Sequence, residues 1–241
     1  MFNIYQKEIA SFLSSFIAYI IITVFLVAMG LLVWVFPETN VIDYGYADMG
    51  SFFQMAPFVL MFLIPAITMK MLAEETHSGT MEILIVKPVT TLQIVLGKYF
   101  AALTLVIVAI LPTLVYYFSI SELASPVGNI DTAGIAGSYI GLLLLSAVFC
   151  ALGILTSALT SNQVMAFVIA AFISFILFTG LNSLANINVW SSLSLPLAQL
   201  SLEYHYLAMS KGLLDSRDVL YFISVIAGFL YFSKLSLANK K

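Results

Sequence analysis

The chain has 241 residues, of which 62% are hydrophobic and 9% charged, with a formal net charge of −3 and a mean hydropathy of +1.08. Soluble domains carry about 25% charged residues, so this composition excludes a water-soluble fold and points to a polytopic membrane protein. The small negative charge, without any basic cluster, excludes a nucleic-acid partner, and the single cysteine, Cys150, excludes an internal disulfide and a cysteine-based metal site.

The chain opens with Phe2, Ile4, Tyr5, Ile9, Phe12 and Leu13 around Lys7 and Glu8. Two readings stand for these residues: a short amphipathic helix along the inner leaflet, or an extension of a long tilted first span. The apolar run behind them, Ile9 to Pro37, is too long for a signal-peptide core and has no small-residue cleavage site. Six stretches are apolar enough and close enough to about 20 residues to cross a bilayer. They are 14–36, 51–71, 99–120, 133–157, 163–182 and 217–235, and none has an ionisable residue near its centre. Only helices and closed barrels satisfy their backbone in lipid. These runs lack barrel-type alternation, so an all-α polytopic fold is expected, as a single transmembrane domain over 1–241.

Orientation follows from the lysines and arginine. With the N-terminus cytoplasmic, the inner side carries Lys7, Lys70, Lys87, Lys98, Lys234, Lys240 and Lys241, and the outer side only Lys211 and Arg217. Both termini are then cytoplasmic. Between spans five and six, Ser194 before Pro196, apolar Leu197, Leu200 and Leu207, and Gly212 predict one or two short helices at the outer leaflet. Trp190, Tyr204 and Tyr206 suit the membrane–water interface there.

Residues 70–98 form the one charge-rich stretch inside the apolar sequence. Thr76, Ser78 and Gly79 mark a break after the second span. Ser78 is placed to cap a short apolar helix over 79–86, with Glu82 in its first turn, and Lys87-Pro88 ends it. Thr90 and Gln93 have capping-box spacing for the helix that leads into the third span. An apolar knob at an aqueous face either docks a partner or packs on the protein's own surface; the pattern leaves both open.

Glu74-Glu75, Gly79-Thr80, Glu82 and Lys87-Pro88-Val89-Thr90, followed by Leu96-Gly97-Lys98-Tyr99, resemble the inner-loop signature of ABC-2 type transporter permeases. Leu155 to Gln163 is similar to that family's tight turn between spans four and five. Within the family the chain resembles most the gliding-motility-associated permease subunits of Bacteroidetes, through its compact length, its opening and Leu214 to Phe222. The resemblance implies a location in the bacterial inner membrane and a coupling helix within 74–90 that contacts a separate ATPase subunit. It places Glu74 or Glu75 at or near that contact, Gly79 and Thr80 at the turn, and Glu82, Lys87 and Pro88 within the coupling segment. Lys87 departs from the small residue many members carry before the proline. A second membrane subunit is also implied, the same or a different chain, with any large periplasmic domain on that other chain.

The residues agree with such a division of labour. There is no G-x-x-x-x-G-K-[ST] loop to bind nucleotide, so ATP and magnesium belong to the partner. No ionisable residue is expected to be buried at membrane depth, where an ion-coupled transporter places its relay. No nucleophile–base pair points to an enzyme. Other readings are an ATP-independent channel or facilitator and a scaffold for a motility complex. Among single residues, His77 reads as a solvated loop histidine, and His205 lacks a second ligand at metal spacing. Cys150 reads as packing, Pro57, Pro65 and Pro112 as candidate kinks, and Gly137-x-x-x-Gly141 as a close-packing seam.

Overall fold

The computed structural model describes residues 1–44, 47–80, 89–186, 194–210, 212 and 215–239. Among these, every regular element is helical. Helix α1 covers Phe2–Leu13 and α2 covers Phe16–Trp34. The break between them falls at Ser14–Ser15, where the Ser15 hydroxyl accepts from the Ile17 amide. The opening is therefore a separate helix, not an extension of the first span. A short α3, Val41–Tyr44, precedes α4, Gly50–His77.

Helix α5, Thr91–Ile110, starts at the predicted capping box: the Gln93 amide donates to Thr90 Oγ1 at 3.3 Å, and the Thr90 amide to Gln93 Oε1 at 3.1 Å. At Pro112 a tighter turn, Leu111–Thr113, separates it from α6, Leu114–Leu123. By contrast, α4 runs on through Pro57 and Pro65. Helix α7 spans Thr132–Leu159 from an Asp131 cap. Asn162 caps α8, Gln163–Phe175, which continues through a wide turn, Ile176–Gly180, into α9, Leu181–Ala185. Two short helices, α10 (Ser194–Leu200) and α11 (Leu202–Ser210), precede α12, Ser216–Ala238.

Six of these helical stretches are long and apolar enough to cross a membrane: α2, α4, α5–α6, α7, α8–α9 and α12. Six crossings bring the two ends of the chain to one side, termed here the terminus-bearing end. Helix α7 is the axis of the bundle, packing against α4, α5, α8, α11 and α12. Of its apolar stretch 78% is buried, against 22% for α2, 22% for α8–α9 and 17% for α12. Those last three therefore present most of their apolar surface outward, as helices in contact with lipid do.

Close approach along α7 depends on residues without bulk. A Cβ at Gly137 would lie 2.7 Å from the Met209 carbonyl oxygen, and one at Gly141 3.2 Å from Met209 Cβ. The Gly137–Gly141 seam thus receives α11 of the same chain. Lower on the helix, a Cβ at Gly153 would collide with the Thr68 hydroxyl on α4. Cys150, also on α7, is fully buried, as its packing role predicts.

Candidate functional site

The terminus-bearing end gathers the charges that the bundle otherwise avoids. Helix α1 lies along the first turns of α5, and Gly97 permits the contact: a Cβ there would sit 3.0 Å from Ile4 Cβ and 3.2 Å from the Met1 carbonyl oxygen. The next residue, Lys98, is only 1% exposed. Its ammonium donates to Glu8 Oε1 at 2.9 Å and lies 2.9 Å from Glu75 Oε2 on α4. The second contact is an ion pair outside hydrogen-bond geometry. Lys7 closes the circuit, donating to Glu75 Oε1 at 3.1 Å. Burial pulls the Lys7 pKa down, but the hydrogen bond to Glu75 and the nearby Glu75 and Glu8 charges outweigh it, so the net shift is upward. Lys7 is therefore positively charged at neutral pH.

This network sharpens one expectation. Lys98, counted on the aqueous inner side, is buried against protein, as are Glu8 and, at the far end, Asp218. The physical reason is the helix start. The Thr90 cap begins α5 well before residue 99, which places Lys98 two turns inside a helix packed on α1 and α4. An ammonium there needs carboxylate partners, because an unpaired buried charge costs several kcal/mol. The Thr90–Gln93 capping box predicts this helix start, but it does not reveal that α1 and α4 cover Lys98.

The residues predicted for coupling divide. Glu75 turns inward onto Lys7 and Lys98, whereas Glu74, His77, Gly79 and Thr80 are exposed. Helix α4 ends as predicted near Ser78, but the Ser78 hydroxyl closes the preceding helix, donating to the Glu74 carbonyl at 2.8 Å. Gly79 adopts φ +72°, a left-handed value that favours glycine at a helix end. Glu82, Lys87 and Pro88, with most of the predicted 79–86 helix, lie outside the described residues. Beside Glu74 a cavity of about 410 Å³ opens between α1, α2 and α4, lined by Lys7, Ser11, Phe12, Lys70, Glu75 and Thr80 among others.

Farther into the bundle, the Ser157 hydroxyl accepts from the Leu72 and Ala73 amides at 3.0 and 2.9 Å and donates to the Met69 carbonyl at 3.0 Å. Ser157 belongs to the segment that carried the second part of the resemblance, but nothing in its spacing announced this contact.

The opposite end is built differently. Tyr206 is 2% exposed and its hydroxyl donates to the Phe53 carbonyl at 2.7 Å, so it turns into the bundle rather than toward a membrane interface; Tyr204 stays exposed. The Ser201 hydroxyl reaches the Phe178 carbonyl at 2.7 Å, and the Tyr221 hydroxyl the Leu200 carbonyl at 2.6 Å. His205 stacks on Tyr221, with Nδ1 at 2.6 Å from Asp218 Oδ1 and Nε2 at 2.9 Å from the Gln199 carbonyl. Its neighbour Glu203 accepts instead from Asn182. Trp190 lies outside the described residues. A cavity of about 450 Å³ between α4, α7 and α11 is lined by Asp48, Gln54, Asp131 and Ser138 among others. Among the described residues no group of three potential metal ligands converges.

Residues 37–232 match the family described as ABC-2 family transporter protein. The chain belongs to that family. With its six apolar helices, it is the membrane component, a permease subunit, of an ABC transporter. No curated protein matches the chain.

Proposed function

We propose that residues 1–241 act as one transmembrane domain of an ATP-driven transporter in the bacterial inner membrane, powered through residues 74–90 by a separate ABC ATPase. The observation that carries this reading is the length of α4. Its 28 residues rise about 42 Å, against a hydrocarbon layer of about 30 Å. Of the two ends of α4, the one at Glu74–His77 carries the charges, so that end projects. The lysine bias places this end in the cytoplasm, with both termini. Glu74, Gly79 and Thr80 are free to meet the ATPase, while Glu75 anchors the arm to α1 and α5. Glu82, Lys87 and Pro88 complete the coupling segment.

ATP and magnesium are held by the partner, and this chain performs no chemistry of its own. A second membrane subunit, identical or different, completes the pathway, and any large periplasmic domain resides on that subunit. The outward faces of α2, α8 and α12 leave room for it and for lipid. The similarity to gliding-motility permeases points to motility or surface export as the process served.

The test is affinity purification from native membranes, comparing wild type with Glu74→Arg and with deletion of residues 79–86. Wild type should retain an ATP-hydrolysing ABC subunit that both variants lose while still inserting and purifying normally. A permease that purifies without any nucleotide-hydrolysing partner, yet conducts solute in vesicles, would instead be a facilitator.

A further inference from the structure

We propose that Ser157 is the pivot of α4, the residue about which the arm at residues 72–77 moves; its role in coupling rests on the ATPase reading above. In an α-helix the Ala73 amide pairs with the carbonyl four residues earlier, that of Met69. Here the Ser157 hydroxyl stands between the two, accepting from Ala73 at 2.9 Å and donating to Met69 at 3.0 Å, and it accepts from the Leu72 amide as well. Insertion of a foreign hydroxyl into the ladder is a recognised cause of helix bending.

The surroundings favour a pivot over a simple brace. Ser157, Leu72 and Ala73 are fully buried, so water does not compete for these groups. One turn away, Gly153 lets α7 touch Thr68, whose hydroxyl is turned back onto the Ile64 carbonyl at 3.0 Å. Pro65 has no amide to give to Met61, which removes one more ladder bond from the same stretch. Helix α4 is thus weakened from Met61 to Ala73 and held there by α7. Below that point the arm carries Glu75, tied to Lys7 and Lys98, and then the exposed Glu74.

Two arrangements follow from the same atoms. In one, Ser157 bridges Met69 and Ala73. In the other, the Ala73 amide bonds Met69 directly, the ladder closes, and the hydroxyl turns to the other partners within its own helix. The Leu72 amide then pairs with the Thr68 carbonyl, its ordinary partner in the ladder, so each amide that leaves Ser157 has an acceptor in both arrangements. Discrete two-state elements of this kind convert small pushes into defined movements.

The test is pulsed-EPR distance measurement on the full chain in lipid nanodiscs. Spin labels go on His77→Cys and Ser161→Cys, both exposed, with Cys150→Ala to remove the native thiol. Wild type should show two distance populations. Ser157→Ala, whose ladder closes on itself, should keep its melting temperature and show one, and Ser157→Thr, which retains the hydroxyl, should restore the second. In the complex with its ATPase, non-hydrolysable ATP should shift the wild-type populations but not those of Ser157→Ala, and ATP turnover should fall about fivefold, the worth of one net hydrogen bond. Identical distributions in wild type and Ser157→Ala would overturn the pivot. If the alanine variant loses its second population but no ATPase binds wild type, the pivot stands as a property of α4 and the ATPase reading fails instead.

Discussion

The two ends of this bundle are held together by different chemistry. At the terminus-bearing end, α1, α4 and α5 are joined by charges: Lys98 between Glu8 and Glu75, with Lys7 outside. At the opposite end, α10 and α11 are fastened mainly by hydroxyls donating to backbone carbonyls, Tyr206 to Phe53, Ser201 to Phe178 and Tyr221 to Leu200, over the glycine seam of α7. A backbone carbonyl is fixed by its helix, so such a bond is kept or lost with the packing. Charged side chains on separate helices can trade partners while remaining paired. The difference assigns rigidity to the cap formed by α10 and α11 and adjustable geometry to the terminus-bearing end.

Breaking each end should show it. Lys98→Met leaves Glu8 and Glu75 with only the solvent-exposed Lys7 as a cation, and should destabilise by about 3 kcal/mol, the lower end of what breaking a buried pair costs. The readout is a large fall in melting temperature of the solubilised protein. At the other end, Gly137→Val forces a side chain against the Met209 backbone. Overpacking of this kind costs about 1–3 kcal/mol, and α11 should detach first, seen as faster amide exchange over residues 202–210 with α7 still protected. Tyr206→Phe removes one buried hydrogen bond without changing shape and should cost about 1 kcal/mol, again with exchange rising in α11. The smallest effect belongs to Lys7→Ala. That side chain is 62% exposed, and surface ion pairs contribute about 0–1 kcal/mol. A loss from Lys7→Ala as large as from Lys98→Met would erase the distinction between a buried anchor and its solvated neighbour.

Much of the architecture was legible because lipid leaves few choices. Continuous apolar runs marked the six crossings, and one helix start was written in local chemistry, the Thr90–Gln93 box; Asp131, Asn162 and Asp215 cap three more, which the apolar runs alone did not identify. The Gly137–Gly141 spacing announced a close contact, although not that α11 would fill it. What the sequence concealed were pairings between residues far apart. Glu8 with Lys98, Tyr206 with Phe53, and His205 with Asp218 depend on which helices become neighbours, and no local pattern encodes that. Ser157 was concealed for a second reason: a serine in an apolar helix usually bonds its own helix backbone, and only the approach at Gly153 turns it toward α4.

The residues predicted for coupling illustrate both cases. Neighbouring acids Glu74 and Glu75 look equivalent in sequence, yet helical geometry puts one in solvent and the other against two lysines. If the arm is the contact with the ATPase, charge reversal at Glu74 should weaken binding without unfolding the permease. The same change at Glu75 should lower the melting temperature as well.

The central claim is that force enters this protein through the projecting end of α4. Photo-crosslinking in living cells tests it most directly, with a photoreactive amino acid at Thr80 and a control at Asp48 on the opposite face. The account predicts an adduct between Thr80 and a nucleotide-hydrolysing subunit and none from Asp48. Capture of that subunit at Asp48, or of only periplasmic proteins at Thr80, would contradict it.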